Sequence, residues 1–237
     1  MTLDDRFANF AKTLAAATSG ERLAIAEYLA SRFAQSQRVI EPLPPVGDDI
    51  LTYSRSRVLF ESLLGIPSEG NIQQFLIASI LWVHRRRYGF EIRTHHVHAS
   101  DKFDATAGDI EEFLNGNLTG AYEVTVRPDW KNRLSDFRAK MDQFGLVKYV
   151  IIASNVGSDP DLAKASNMLR FIQPYGRDIA VVDIEDFVTV FAAELTATEL
   201  REAVNKTYSF LSNSKLCGRP DIMDKYRAGV ESWLDGV

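Results

Sequence analysis

Hydrophobic and polar positions alternate along the chain with two distinct periods, and the changes between them mark its organisation. In the first 38 residues Leu23, Ala26, Ala30 and Phe33, with Ile25 and Leu29 beside them, recur near every 3.6 residues and predict helix. The stretch Glu41-Pro42-Leu43-Pro44-Pro45-Val46-Gly47 cannot be a helix interior, since proline lacks the donor and clashes with the preceding turn, and it reads as a linker. A short helix over 55–64 and a stronger one over 71–86 follow. In the second, Ile72, Phe75, Leu76, Ile80 and Val83 make one apolar face broken only by Ser79. The cations His84-Arg85-Arg86-Arg87 suit a helix C-terminus, and Gly89 suits the stop.

At Tyr88 the period becomes two. Tyr88, Phe90, Ile92, Thr94, His96 and His98 would share one face of a strand, and Glu91, Arg93, His95 and Val97 the other. A polar turn over 100–108 leads to a second strand, Asp109 to Leu114. Asn115-Gly116-Asn117 reads as a three-residue hairpin loop with Asn117 left-handed, and Leu118 to Arg127 as the returning strand. A helix over 129–144, capped by Asp129, buries Trp130, Leu134, Phe137, Met141 and Phe144. The continuously apolar strand 149–153, a helix over 160–172 and the strand 179–182 follow, and helices fill 185–235. Apolar strands separated by helices predict an α/β fold whose sheet is covered on both faces. The expected division is a helical extension, 1–39, and a main domain, 50–237.

The globular pattern agrees with composition: 46% of the 237 residues are hydrophobic and 25% charged. One cysteine, Cys217, excludes a disulfide framework and a cysteine-rich zinc site, and it is read as inert. The absence of a long apolar run and of a basic-then-apolar start gives the expectation of a soluble cytoplasmic protein. Neither a glycine-rich phosphate loop nor a G-x-S-x-G elbow occurs, so nucleotide-binding and serine-hydrolase chemistries lose their motifs. The net charge of −5 argues against coating nucleic acid by bulk charge. It is unevenly spread, however: residues 84–148 hold 11 Lys/Arg against 10 Asp/Glu and all four histidines.

Within that window the hairpin carries the chemistry. A three-residue loop pairs Leu114 with Leu118, Phe113 with Thr119, Ile110 with Tyr122 and Asp109 with Glu123. The two acids then face each other at roughly 5 Å between Cβ atoms. Glu111 falls on the same face further along. A two-residue loop would put the acids on opposite faces. Paired carboxylates repel unless a cation lies between them, and hard oxygen donors suit Mg²⁺. An exposed acidic sheet face would show the same pattern. His96 and His98 form an H-x-H pair that could grip a transition metal, without a third spaced ligand.

Gly108-Asp109-Ile110, the Asn-Gly-Asn turn and Ala121-Tyr122-Glu123-Val124-Thr125-Val126 resemble the PD-(D/E)xK nuclease core, in which an Asp is followed by (D/E)xK on the next strand. The segments His84 to Glu91, Ala107 to Glu111 and Tyr122 to Thr125 are similar to SacI-type restriction endonucleases. The resemblance implies a restriction-endonuclease-like mixed central sheet flanked by helices, and Mg²⁺-dependent hydrolysis of DNA phosphodiesters. It assigns Asp109 and Glu123 as catalytic metal ligands. It departs from the motif at Ala107-Gly108, where proline is expected, and at Thr125, where the lysine should stand. Arg127, Lys131 and Lys140 are the possible substitutes, and Lys131 is preferred for closeness. A nuclease would hold DNA phosphates with Arg85, Arg86, Arg87, Arg93, Lys102, Arg133 and Arg138. It would act on two strands as a homodimer. The alternative is an inactive nuclease fold that binds DNA or a partner.

Overall fold

The computed structural model describes residues 3–36, 40–96, 106–156, 178–213, 215–217 and 219–236. The expected helix 160–172, Lys102 and His98 lie outside them. The chain divides into two units, Met1–Pro42 and Leu43–Val237. The first holds α1 (Leu3–Ala16) and α2 (Ser19–Ser36). The Thr18 backbone N–H and hydroxyl both donate to Glu21, at 2.8 Å each, which ties the turn between the two helices.

The second unit is built on a five-stranded mixed sheet. Helices α3 (Tyr53–Leu64) and α4 (Asn71–Arg85) precede it, and a 3₁₀ turn, Arg86–Tyr88, extends α4. Strands β1 (Phe90–Thr94), β2 (Ile110–Leu114) and β3 (Asn117–Thr125) form an antiparallel meander. A 3₁₀ segment, Pro128–Arg133, then leads into α5 (Leu134–Phe144). Strands β4 (Lys148–Ala153) and β5 (Asp178–Asp183) add in parallel, giving the spatial order β1-β2-β3-β4-β5. Helices α6 (Ile184–Ala193), α7 (Ala197–Ser212) and α8 (Pro220–Asp235) close the chain. No helix among the described residues is long and apolar enough to cross a membrane.

The sheet separates two cores. One face carries Ile92, Ile110, Tyr122, Val124, Val150 and Ile152 against α3, α4 and the three C-terminal helices. The other carries Ala121, Tyr149, Ile151, Ala153 and Ile179 against Trp130, Leu134, Phe137 and Met141. Helix α4 is buried nearly all round, Gln73, Gln74 and Ser79 included, because helices pack on the side that its amphipathic pattern leaves polar. The Ser79 hydroxyl is satisfied by donating to the Phe75 carbonyl at 2.7 Å. Gly89 ends the basic run in the left-handed region, φ 80°, with its N–H on the Arg86 carbonyl.

Two local expectations need correction. The helix over 129–144 is divided: residues 128–133 are 3₁₀, Asp129 is not an α-helical cap, and the α-helix starts at Leu134. Proline at its first position favours this tight entry. The hairpin has a two-residue turn, Asn115-Gly116, both with positive φ (51° and 80°), and Leu114 pairs with Asn117 rather than Leu118. Asn-Gly suits that turn because both central residues must adopt left-handed backbone.

Candidate active site

A two-residue turn alone would have thrown Asp109 and Glu123 to opposite faces. The structure avoids this with a β-bulge. Phe113 pairs with Leu118 and Glu112 with Gly120, so Thr119 is the extra residue, and from there the ladder runs Glu111 with Ala121 and Ile110 with Tyr122. The Thr119 hydroxyl donates to the Glu112 carbonyl at 3.0 Å, which satisfies the ladder where it is interrupted. One further step along this register brings Asp109 opposite Glu123. The pairing expected for the inner half of the hairpin therefore stands, with the bulge supplying the residue that the loop does not.

Asp109 lies just before β2. Its Oδ2 accepts the Val124 backbone N–H at 2.9 Å, so its side chain continues the hydrogen bonding of β3 past the end of the β2 ladder. Gly108 makes this approach possible: a Cβ there would lie 2.7 Å from the Tyr122 carbonyl oxygen. Glu123 is buried in the middle of the sheet. One of its oxygens meets Arg133 at 2.9 Å, and the other is 3.8 Å from the Lys140 ammonium. The Tyr149 hydroxyl, on β4, donates to that second oxygen at 3.2 Å and to the Ala107 carbonyl at 3.0 Å. Phe137 stacks on Tyr149, with ring centroids 5.5 Å apart, and so docks α5 against the strand beneath the site.

The electrostatics are unequal. Burial, together with the charge of Glu123, pushes the Asp109 carboxyl up to about 7, against the smaller opposing effects of the Val124 N–H, Lys140 and Arg133. Burial raises Tyr149 well above its ordinary value, and Glu123 adds to the effect. Glu111, on the same face, also suffers burial but is held below its ordinary value by His95, at 2.9 Å, and the Ala107 N–H, at 2.7 Å.

Two neighbouring acids that offer hard oxygens, with Asp109 raised by burial and by the charge beside it, fit a divalent cation such as Mg²⁺. Larger clusters of metal-ligating side chains are absent among the described residues. Thr125 occupies the position two residues after Glu123, and its hydroxyl accepts the Arg127 N–H at 3.2 Å. The ammonium that α5 brings to Glu123 is that of Lys140. Lys131, preferred from sequence for its nearness along the chain, sits in the 3₁₀ segment before α5. Lys140, about two turns into α5, reaches Glu123 because an α-helix returns residues over the sheet at that spacing.

The basic residues expected to line the site divide by face. Arg133 stands beside Glu123 and over the Phe137 ring. Arg138 pairs with Asp142 one turn on, at 3.9 Å. Arg93 is held by Glu91 at 2.7 Å and lies over the Phe113 ring. Arg85, Arg86 and Arg87 are engaged elsewhere, with Glu112 (3.0 Å), Glu202 and Glu199 respectively. Arg85 reaches Glu112 beside Tyr122, on the sheet face opposite α5. The basic run is thus a tie from the end of α4 to β2 and α7, a use its sequence did not reveal because the partners lie up to 116 positions away. Tyr149 is a neighbour of Glu123 that sequence reading missed, since an apolar strand context marks it as core.

Residues 51–157 match the family model of the SacI restriction endonuclease C-terminal domain, a span that includes both acids, Thr125, Lys140 and Tyr149. No curated protein matches the chain.

Proposed function

We propose, from a chain whose residues 51–157 match the model of the SacI restriction endonuclease C-terminal domain, that the protein is a Mg²⁺-dependent DNA endonuclease of a restriction or defence system, acting in the cytoplasm. The observation that carries the reading is the half-buried Asp109 beside the buried Glu123, with the Lys140 ammonium 3.8 Å from Glu123. Asp109 and Glu123 would hold Mg²⁺, which when bound would supply a Lewis acid for a phosphoryl oxygen and for a water. Lys140 takes the part of the missing motif lysine: it orients the attacking water and offsets the charge that develops at the phosphate. Arg133 fixes Glu123 and, with Arg138, Arg93 and Lys131, presents positive charge to the DNA backbone. Val124 holds Asp109 through its N–H, and Tyr149 holds Glu123 through its hydroxyl. Cutting both strands requires two such sites, which a homodimer provides.

Plasmid cleavage with Mg²⁺ and with EDTA tests the reading. Cleavage by the intact protein should disappear with EDTA and in Asp109→Ala and Glu123→Ala. Lys140→Met should retain DNA binding and lose on the order of 10²- to 10⁴-fold in rate, the usual range for a proton-handling group. Full activity in both acid variants would remove the site. One observation favours a second reading, an inactive DNA-binding component: Thr125 replaces the lysine, and both Glu123 oxygens already face cations. DNA binding without cleavage under any divalent metal would establish it.

A further inference from the structure

The Asp109 side chain is only as well placed as its backbone. Asp109 precedes the first residue of β2, one step beyond the Thr94–Ile110 pair, where the His95 N–H continues the β1 ladder to the Asp109 carbonyl oxygen. Two side chains join that donor at the oxygen. The His95 N–H reaches it at 3.1 Å, the Thr94 hydroxyl at 3.2 Å and the Gln74 side-chain amide at 3.4 Å. The same Gln74 amide lies 2.9 Å from the His95 carbonyl and 3.1 Å from the Thr94 hydroxyl.

Gln74 is buried within α4, on the opposite side of the sheet from α5. A buried amide is costly to desolvate unless bonded, and an apolar residue at this place in α4 would pack at no such cost. The amide is there for what it grips: the converging ends of β1 and β2.

We infer that Gln74 is a positioning residue for the metal-binding carboxylate of Asp109, acting across the sheet through the Asp109 carbonyl together with Thr94. The inference rests on the nuclease reading for the identity of the bound cation. Groups that orient a metal ligand commonly change metal affinity or activity by 10- to 100-fold. A residue that merely stabilised α4 would lower the melting temperature and leave metal affinity untouched.

The experiment uses the full chain and two near-isosteric variants, Gln74→Met and Thr94→Val. Mn²⁺ binding without DNA is measured by the paramagnetic signal of the free ion, alongside melting temperature and the kcat and KM of plasmid cleavage. Both variants should weaken Mn²⁺ binding, Gln74→Met on the order of tenfold or more and Thr94→Val less, with kcat falling and KM for DNA little changed. Raised Mg²⁺ should restore part of the rate. A lower melting temperature with an unchanged Mn²⁺ midpoint overturns the inference. If Gln74→Met does not fold, Thr94→Val decides alone. A wild-type protein that binds Mn²⁺ but never cleaves DNA sinks the nuclease reading, while the Mn²⁺ midpoints still judge Gln74. A wild-type protein that binds no Mn²⁺ overturns the inference as well.

Discussion

The two faces of the central sheet treat charge in opposite ways. On the α4 side, acids and arginines are matched: Arg85 meets Glu112, Arg86 meets Glu202 and Arg87 meets Glu199. There the Arg87 guanidinium, with the Thr196 cap, holds Glu199 down to about 2. On the α5 side Glu123 also meets cations, Arg133 and Lys140, yet burial and the Glu123 charge drive Asp109 up to about 7. The first arrangement ties helices together. The second stores an unfavourable interaction that a bound cation would relieve. An acid raised by burial beside a second carboxylate, rather than lowered by an ion pair, is the kind that gathers where chemistry is done, so the direction of the displacement points to the α5 face.

The strongest way to break this contrast is to remove the bulge. Deleting Thr119 leaves a two-residue turn with no compensating residue, and the register slips by one position through β3. Either Glu123 leaves the α5 face or the hairpin repacks. Cleavage should fall to background, and a protein with full activity would show that the register does not build the site.

A smaller effect sharpens the comparison through stability. In its ionised form Asp109 is disfavoured by folding, because its native value lies above the ordinary one of about 4. The penalty is absent below pH 4, grows as pH rises towards 7 and is complete above it. Metal-free Asp109→Asn should therefore be more stable than the parent at pH 8, by on the order of a few kcal/mol, and equal to it near pH 4. Denaturant unfolding at the two pH values checks this, and a variant no more stable at pH 8 would contradict the strain assigned to the pair.

The smallest effect belongs to the matched face. Glu199 has a lowered value, so its contribution is present above about pH 4.5 and is lost as pH falls towards 2. Arg87→Ala should cost about 1 kcal/mol or less, as partly exposed ion pairs do, and should leave cleavage unchanged. Loss of DNA binding in this variant would return the basic run to the polynucleotide surface.

Much of this was legible in the chain. Periods of 3.6 and 2 located the helices and strands, because burial on one face imposes them whatever the wider fold. Ile110 opposite Tyr122, and hence the approach of Asp109 to Glu123, could be counted from the turn. What could not be counted was how the turn achieves it: Asn115-Gly116 and the bulge at Thr119 sum to the same offset as the three-residue loop, and sequence periodicity sees only the sum. The approach of Lys140 to Glu123 was hidden for a related reason. Which helical residue lies over a strand depends on where the helix starts and how it docks, and the 3₁₀ segment before α5 changes both. Gln74 was hidden because a buried glutamine in a mainly apolar helix looks like a polar position facing water.

The separation of Lys140 from the strand that bears Glu123 has a consequence for how the protein responds to heat and to ligands. Where carboxylate and ammonium share a strand, their distance is set by covalent geometry. Here it is set by the seating of α5, through Phe137 on Tyr149 and the Trp130, Leu134 and Met141 side chains around them. In the proposed nuclease, catalytic competence would thereby be a property of a packing joint. Loosening that joint by a degree too small to unfold the domain would already draw Lys140 away from Glu123, and whatever presses the helix home would bring it back.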